Sequence, residues 1–244
     1  MGDSLGDRMK KYYEERSRFK LTRRVPVVMR IDGRAFHTLT KRHCQRPFDE
    51  NFQDCMYKAA LAVLDDTQGA KCAYIQSDEI SVLLTDYDQI TTEAWFDYEI
   101  DKITTSAATT ASVEFTLLFG QRARFDARAF NIPRNDVTNY FIWRQKDWIR
   151  NSVQMLGRAH FSHKELNRKK QSDIHEMLHG IGVNWAHLEP SWKNGILVYR
   201  KDGSWVREDD IIITQNREVF EPLINPDLVE EDDENRTIER TAAR

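Results

Sequence analysis

Residues 27–37 read Val27-Val28-Met29-Arg30-Ile31-Asp32-Gly33-Arg34-Ala35-Phe36-His37, and the rest of the chain is interpreted around them. Its first half has a β-strand pattern that breaks at Asp32-Gly33. A second stretch, Tyr74-Ile75-Gln76-Ser77-Asp78-Glu79-Ile80-Ser81, places an acidic pair in a predicted hairpin turn between two apolar runs. Neighbouring strands that end in carboxylates can hold two divalent cations about 3.5–4 Å apart, an arrangement that drives in-line attack on phosphate.

An aspartate before a glycine at a strand end is also ordinary turn chemistry. Two acidic strand ends lying side by side favour the metal interpretation, because adjacent carboxylates repel each other unless a cation compensates their charge. Hard oxygen ligands suit Mg²⁺, and the Gly33 carbonyl can add a ligand because no side chain crowds it. We therefore expect Asp32 and the Asp78–Glu79 pair to supply metal-binding carboxylates, with the Gly33 carbonyl as a further ligand.

The order of predicted elements favours an α+β fold. Strands are expected at 25–31, 72–76, 80–84 and 113–119, with one helix after Pro47 and another over 91–112. This βαββαβ order is the ferredoxin-like arrangement found in polymerase palms. Further elements are expected outside that core: a strand over 124–132, a helix from Asp136 to Gly157 with Asn135 as N-cap, a capping box at Ser162 and Glu165, a helix over 173–180 and a strand over 195–200.

The composition is that of a soluble globular protein, with 40% hydrophobic residues, 31% charged residues and a net charge of −3. We expect a single catalytic domain over residues 1–225 and an acidic, flexible tail over residues 226–244. The three cysteines have no CxxC spacing, so neither a disulfide framework nor a zinc site is indicated. No apolar run is long enough to cross a membrane, and a cytoplasmic location is expected.

Four blocks together resemble the signature of the tRNA(His) guanylyltransferase family: residues 30–37, Arg46-Pro47-Phe48-Asp49, Gln76-Ser77-Asp78-Glu79 and Trp143-Arg144-Gln145-Lys146-Asp147. They match in type and order over roughly residues 5–200, and several blocks in register are more specific than one. That family has a polymerase-like palm and adds nucleotides to the 5′ end of tRNA in the 3′-to-5′ direction. The resemblance implies a tetrameric enzyme with two Mg²⁺ ions, ATP and GTP as nucleotides, and tRNA as partner.

The resemblance also implies roles for individual residues. Catalytic roles fall on Asp32, Asp78 and Glu79, of which the two aspartates hold metal with the help of Gly33. Nucleotide binding falls on Arg30, Gly33, Arg34, Ala35, Phe36, His37, Arg46, Asp49, Ser77 and Asp78. RNA binding is expected at Arg144, Arg150, Asn151, Lys164 and Lys169, because phosphate contacts dominate affinity for nucleic acid.

The block after Trp-Arg-Gln separates two branches of the family. Eukaryotic guanylyltransferases continue with His-Ile-Asn-Asn-Leu-Tyr-Asn, whereas this chain has Ile149-Arg150-Asn151-Ser152-Val153-Gln154-Met155. With residues 161–166, this segment resembles the guanylyltransferase-like branch, whose members repair 5′-truncated tRNAs by templated addition. The alternatives are a dedicated tRNA(His) guanylyltransferase, a non-catalytic RNA-binding module and, more distantly, a nucleotide cyclase.

Overall fold

A computed structural model describes residues 4–226 of the chain. Its centre is an antiparallel sheet with the strand order β4-β1-β3-β2-β5-β6. The strands are β1 Val27–Gly33, β2 Ala70–Gln76, β3 Glu79–Leu84, β4 Phe125–Asn131, β5 Ile196–Lys201 and β6 Ser204–Glu208. The helices are α1 Leu5–Tyr12, α2 Phe36–His43, α3 Glu50–Asp66, α4 Ile100–Phe119, α5 Arg134–His160, α6 His163–Leu166, α7 Gln171–Gly180, α8 Pro190–Asn194 and α9 Glu221–Ile224.

The first four strands form the predicted ferredoxin-like core. Two helices separate β1 from β2, a tight hairpin joins β2 to β3, and α4 leads to β4. The spatial order of these strands is β4-β1-β3-β2, so the α+β, polymerase-palm class is confirmed. Strands β5 and β6 extend the sheet beyond β2.

Helices cover both faces of the sheet, which is why the central strands read as continuous apolar runs. On one face Val27, Met29 and Ile31 pack in a cluster that α3 and α4 also enter. On the other face Val28 joins a cluster built on α5 and the segment that follows β6. Alternation along β1 therefore directs Arg30 and Asp32 to the α5 face.

The strand predicted at 113–119 is wrong, because these residues form the last turns of α4. Their β-branched and aromatic content favours a strand, yet Ile103, Ala107, Ala111 and Phe115 recur every four residues as one buried helical face. The helix also starts later than predicted, at Ile100. The fourth strand of the core is β4, over the segment expected to be an additional strand.

Other boundaries also differ. Helix α5 begins at Arg134 with Pro133 at its N-cap, so Asn135 lies within the first turn and does not cap it. Strand β6 was not predicted. The capping box at Ser162 and Glu165 is confirmed. The expected acidic tail lies outside the described residues, apart from Pro226. No helix between residues 4 and 226 combines the length and apolar character needed to span a membrane.

Candidate functional site

Two carboxylates meet where β1 ends beside the β2–β3 hairpin. Asp32 lies opposite Glu79 in the register of β1 and β3, and the Gly33 N–H donates to the Asp78 carbonyl at 2.9 Å. The hairpin turn consists of Ser77 and Asp78, so Glu79 is the first residue of β3 rather than a turn residue as predicted. Asp32 and Asp78 are thus brought together as expected from the sequence.

Gly33 allows this close approach. A Cβ atom at this position would lie 2.8 Å from the Cβ of Asp78 and 2.5 Å from the ring of Phe36. Contacts that short do not occur in proteins, so any side chain here would displace the hairpin or α2. The requirement for glycine is therefore steric.

The environment of Asp78 is that of a carboxylate that lacks a compensating cation. Burial, together with the nearby charge of Asp32, raises the pKa of Asp78 to about 6. A divalent ion between the two groups would reverse this effect. Mg²⁺ typically takes one or two carboxylates and completes its shell with phosphate oxygens and water, so two aspartates and a backbone carbonyl suit it. Among residues 4–226 no cluster of three or more His, Cys, Asp or Glu side chains offers a complete protein-only metal site.

Glu79 has a different environment from the two aspartates. It is buried, and both of its oxygens are bound by Arg144 of α5, at 2.7 and 2.8 Å. Gln76 and Ser81 also donate to it, each at 3.1 Å, and Arg30 lies 3.8 Å away. Glu79 is therefore the centre of a buried polar network that fixes the start of β3 against α5.

A cavity of about 450 Å³ opens beside Asp78. Six of the predicted nucleotide-binding residues line it: Phe36, His37, Arg46, Asp49, Ser77 and Asp78. The other four, Arg30, Gly33, Arg34 and Ala35, lie outside its lining. Ala35 adopts a left-handed conformation, φ 61°, at the start of α2. Arg34 is exposed, and its N–H donates to the Arg124 carbonyl at 2.8 Å.

Two of the lining residues have clear structural tasks. Phe36 is buried among Phe52, Phe115 and Phe125, which anchors α2 on the core. Asp49 accepts from the Phe52 N–H at the start of α3 and from the Gln45 N–H, both at 2.8 Å. Asp49 thereby fixes the loop that carries Arg46.

The opposite wall of the cavity comes from parts of the chain that sequence reasoning did not assign to the site. The ring of Phe48 stacks on that of Trp192, with centroids 5.0 Å apart and planes 20° from parallel. Trp148 and Arg158 of α5 also line the cavity. Trp148 is buried. These aromatic residues lie in a loop, in α5 and in α8, and their positions in the sequence do not reveal which cavity they enclose.

The predicted RNA-binding residues divide into two groups. Arg144 is buried and Asp147 accepts from it at 3.1 Å, while Arg150 and Asn151 also donate to Asp147, at 2.5 and 3.3 Å. Arg144 therefore does not offer its guanidinium to RNA, whereas Arg150 and Asn151 are exposed on α5. Lys164 and Lys169 are exposed and form no ion pair within the described part of the chain.

Comparisons with known proteins give a consistent result. The family described as "Thg1: tRNAHis guanylyltransferase" matches residues 6–133. A bacterial tRNA(His) guanylyltransferase-like protein solved in complex with ATP has 37% identity and a TM-score of 0.85, over 91% of this chain and 99% of that one. A bacterial tRNA(His) guanylyltransferase-like protein solved in complex with GTP has 37% identity and a TM-score of 0.80, over 91% of this chain and 100% of that one.

More distant relatives are eukaryotic. The tRNA(His) guanylyltransferase of Schizosaccharomyces pombe is 27% identical over 75% of this chain and 73% of its own length. The probable tRNA(His) guanylyltransferase of Dictyostelium discoideum is 26% identical over 74% and 77%. The structure of the Saccharomyces cerevisiae enzyme, at 21% identity, a TM-score of 0.69 and coverage of 84% and 99%, shares the fold.

Proposed function

Since the chain belongs to the tRNAHis guanylyltransferase family, we propose that it is a metal-dependent nucleotidyltransferase acting on the 5′ end of tRNA. It adds nucleotides in the 3′-to-5′ direction, templated by the opposite strand, and thereby repairs truncated 5′ ends. The observation that carries this proposal is that Asp32 lies at the strand end next to Asp78, which itself lines the cavity. The Gly33–Asp78 backbone bond of 2.9 Å holds the two strand ends together there.

The metal ligands are Asp32, Asp78 and the Gly33 carbonyl, and the proposed cofactor is a pair of Mg²⁺ ions. Bound divalent ions supply positive charge at the reacting phosphates and lower the pKa of an attacking hydroxyl. The protein side chains position the metal ligands and the triphosphate. Glu79 holds the hairpin through Arg144, while Ser77 and Arg46 line the cavity where a triphosphate would lie.

The reaction has two displacements. In the first, a 5′-monophosphate oxygen attacks the α-phosphorus of ATP, and pyrophosphate leaves. In the second, the 3′-hydroxyl of an incoming nucleoside triphosphate attacks the activated 5′ phosphorus, and AMP leaves. A 5′-triphosphate end bypasses the first step because it already carries a pyrophosphate leaving group.

The aromatic wall of the cavity supports nucleotide binding. The planar Phe48–Trp192 pair and the buried Trp148 offer apolar surface, and His37 with Arg46 adds polar groups at the same opening. A mostly apolar cavity with few polar groups is typical of a small-molecule site. Solved relatives described with ATP and with GTP support the same nucleotides for this chain.

The branch assignment rests on two observations. The solved guanylyltransferase-like protein is 37% identical over nearly its full length, whereas the yeast guanylyltransferase is 21% identical. Position 149 is a half-buried isoleucine in place of the histidine found in the eukaryotic block. The exposed Arg150, Asn151, Lys164 and Lys169 are the proposed tRNA contacts.

The proposed assembly is a cytoplasmic homotetramer. Val113 and Leu117 on α4 are 49% and 73% exposed, and burial between copies would remove them from water. The cysteines Cys44, Cys55 and Cys72 are free thiols, which fits a reducing compartment. Light scattering of the purified protein tests the assembly.

The deciding experiment supplies Mg²⁺, the four nucleoside triphosphates and a tRNA that lacks its first nucleotide, with the opposing base varied. Addition that follows the opposing base across several tRNAs supports templated repair. Addition of G alone, and only to tRNA(His), supports the dedicated guanylyltransferase named for the curated relatives. A non-catalytic RNA-binding module would bind nucleoside triphosphates neither with metal nor without it.

A further inference from the structure

The edge strand β4 places a further carboxylate, Asp126, beside Asp32. In the register of β1 and β4, Asp126 lies directly opposite Asp32, and Asp32 in turn lies opposite Glu79 on β3. Residues paired across strands project to the same face, so these carboxylates form a row on the α5 side of the sheet. Like charges directly opposite each other are destabilising unless a cation intervenes.

Two different arginine side chains compensate the negative charge of this row of carboxylates. Glu79 pairs with Arg144, and this pair is buried, since the two side chains are only 9% and 8% exposed. Asp32 and Asp126 share the exposed Arg128, whose Nη2 lies 3.7 Å from Oδ2 of Asp32 and 3.8 Å from Oδ1 of Asp126. The Arg128 side chain is 54% exposed.

We propose, on the basis of the metal-dependent function above, that Arg128 is the exchangeable counter-cation of Asp32. In the metal-free protein its guanidinium compensates the charge that Asp32 and Asp126 share. With a divalent ion bound at Asp32, Arg128 would no longer be needed there and could instead bind phosphate oxygens of the nucleotide. Arg128 is thus a positioning residue that couples metal binding to phosphate binding.

The physical reasons are charge and geometry. A guanidinium near an exposed carboxylate competes with any other cation there, and such exposed pairs are worth at most about 1 kcal/mol, or roughly fivefold in affinity. A released arginine suits phosphate because its planar donors match two oxygens at once. Asp126 has the opposite effect from Arg128, since it adds negative charge for the metal and binds the competing guanidinium.

The proposal predicts opposite changes in two binding steps. Replacing Arg128 by glutamine removes the competitor, so Mn²⁺, used as a probe for Mg²⁺, binds roughly two- to fivefold more tightly. The same change weakens the binding of inorganic tripolyphosphate in the presence of Mg²⁺ by roughly threefold or more. Asp126→Asn weakens Mn²⁺ binding, because the remaining guanidinium then neutralises Asp32 alone.

Titration calorimetry of the full-length protein measures both affinities. Arg122→Gln is the matched control, since Arg122 is exposed just before β4 and forms no ion pair within residues 4–226. Opposite shifts in Arg128→Gln, absent in Arg122→Gln, support the proposal. A Mn²⁺ affinity of Arg128→Gln equal to or weaker than that of the control overturns it. Separately, Mn²⁺ binding that persists unchanged in Asp32→Asn overturns the metal site of the proposed function itself.

Discussion

The guanidinium of Arg144 binds both carboxylate oxygens of Glu79, with Nε 2.7 Å from Oε1 and Nη2 2.8 Å from Oε2. This pair joins the middle of α5 to the first residue of β3, directly beside the Asp78 turn. The next residue, Gln145, is buried as well and bonds to the backbone of Asn194, Ile211 and Ile213. The Trp-Arg-Gln block therefore fixes the sheet and its flanking loops to α5.

Removing one partner of the Arg144–Glu79 pair should destabilise the protein strongly. Arg144→Ala leaves a buried carboxylate without its cation, and we expect a loss of roughly 3–5 kcal/mol in the free energy of unfolding, measured by urea denaturation. The double variant Arg144→Met with Glu79→Gln should recover part of that loss. Unchanged stability combined with weaker tRNA binding in Arg144→Ala would instead make Arg144 an RNA contact.

Removing either of the two proposed metal ligands, Asp32 or Asp78, should abolish nucleotide addition. Asp32→Ala and Asp78→Ala each remove a ligand worth several kcal/mol at the transition state, so the rate should fall at least about a hundredfold. Circular dichroism should show an intact fold. Asp101→Ala, an exposed position in the first turn of α4, is the control and should keep the parent rate. Near-normal turnover in either site variant would show that the site is misassigned.

Adding one methyl group at Gly33 should disturb both stability and metal binding. In Gly33→Ala the new Cβ meets the Asp78 Cβ at 2.8 Å, so the hairpin must shift. Overpacking of this kind typically costs about 1–3 kcal/mol, and the metal affinity should fall with it. Gly180→Ala is the matched control because nothing lies within 4 Å of a Cβ there. Thermal melts with and without Mg²⁺ measure both effects, and equal behaviour of the two variants would contradict the steric argument.

The metal-free protein should lose stability as the pH rises through the titration of Asp78. The pKa of this group is about 6 in the folded state, above the unfolded value of about 3.9, so the folded state binds the proton more tightly. Its contribution of roughly 2–3 kcal/mol is fully present below pH 4 and is lost between about pH 4 and 6. Urea denaturation in the presence of a chelator should show this loss in the parent protein.

Two comparisons isolate this pH effect. Asp78→Asn should lack the loss of stability over that window, because the amide does not titrate. Mg²⁺ should stabilise the parent protein more at pH 7.5 than at pH 5, since the ion requires the ionised carboxylate. A parent and variant with parallel stability profiles would exclude Asp78 as the titrating group.

The exposed lysines after α5 should contribute to tRNA affinity without regard to sequence. Lys164→Gln and Lys169→Gln each remove one phosphate contact, so the slope of log affinity against log salt should decrease by about 1 per substitution. Filter binding over a salt series measures it. Lys58→Gln is the control, because Lys58 lies on α3 and pairs with Asp54 at 2.7 Å. A slope identical to that of the control would remove these lysines from the interface.

The sequence alone predicts those parts of the site that depend on the order of neighbouring strands and turns along the chain. Asp32 and Asp78 were predictable because each follows an apolar strand, and antiparallel neighbours bring such ends together. The strand predicted at 113–119 failed because its β-branched residues complete a helical face that begins at Ile103. Local composition and the four-residue period disagreed there, and packing against α3 follows the period.

The rest of the site depends on contacts between distant parts of the chain. The bond between Arg144 and Glu79 requires knowing that α5 crosses the sheet above β3. The stacking of Phe48 on Trp192 joins the loop before α3 to the short helix α8, two segments with no shared periodicity. Neither contact can be predicted from the spacing of residues in the sequence, so only the folded structure shows them.

The family match ends at residue 133, and α5 begins at Arg134. The cavity nevertheless takes one wall from each side of this boundary: His37 and Asp78 from the first half, Trp148 and Trp192 from the second. The cavity therefore depends both on the part of the chain that the family model matches and on the part that follows it. Because Arg144 of α5 binds both oxygens of Glu79, α5 shapes one side of the cavity and also holds the hairpin that carries Asp78, so a change in α5 alters both together.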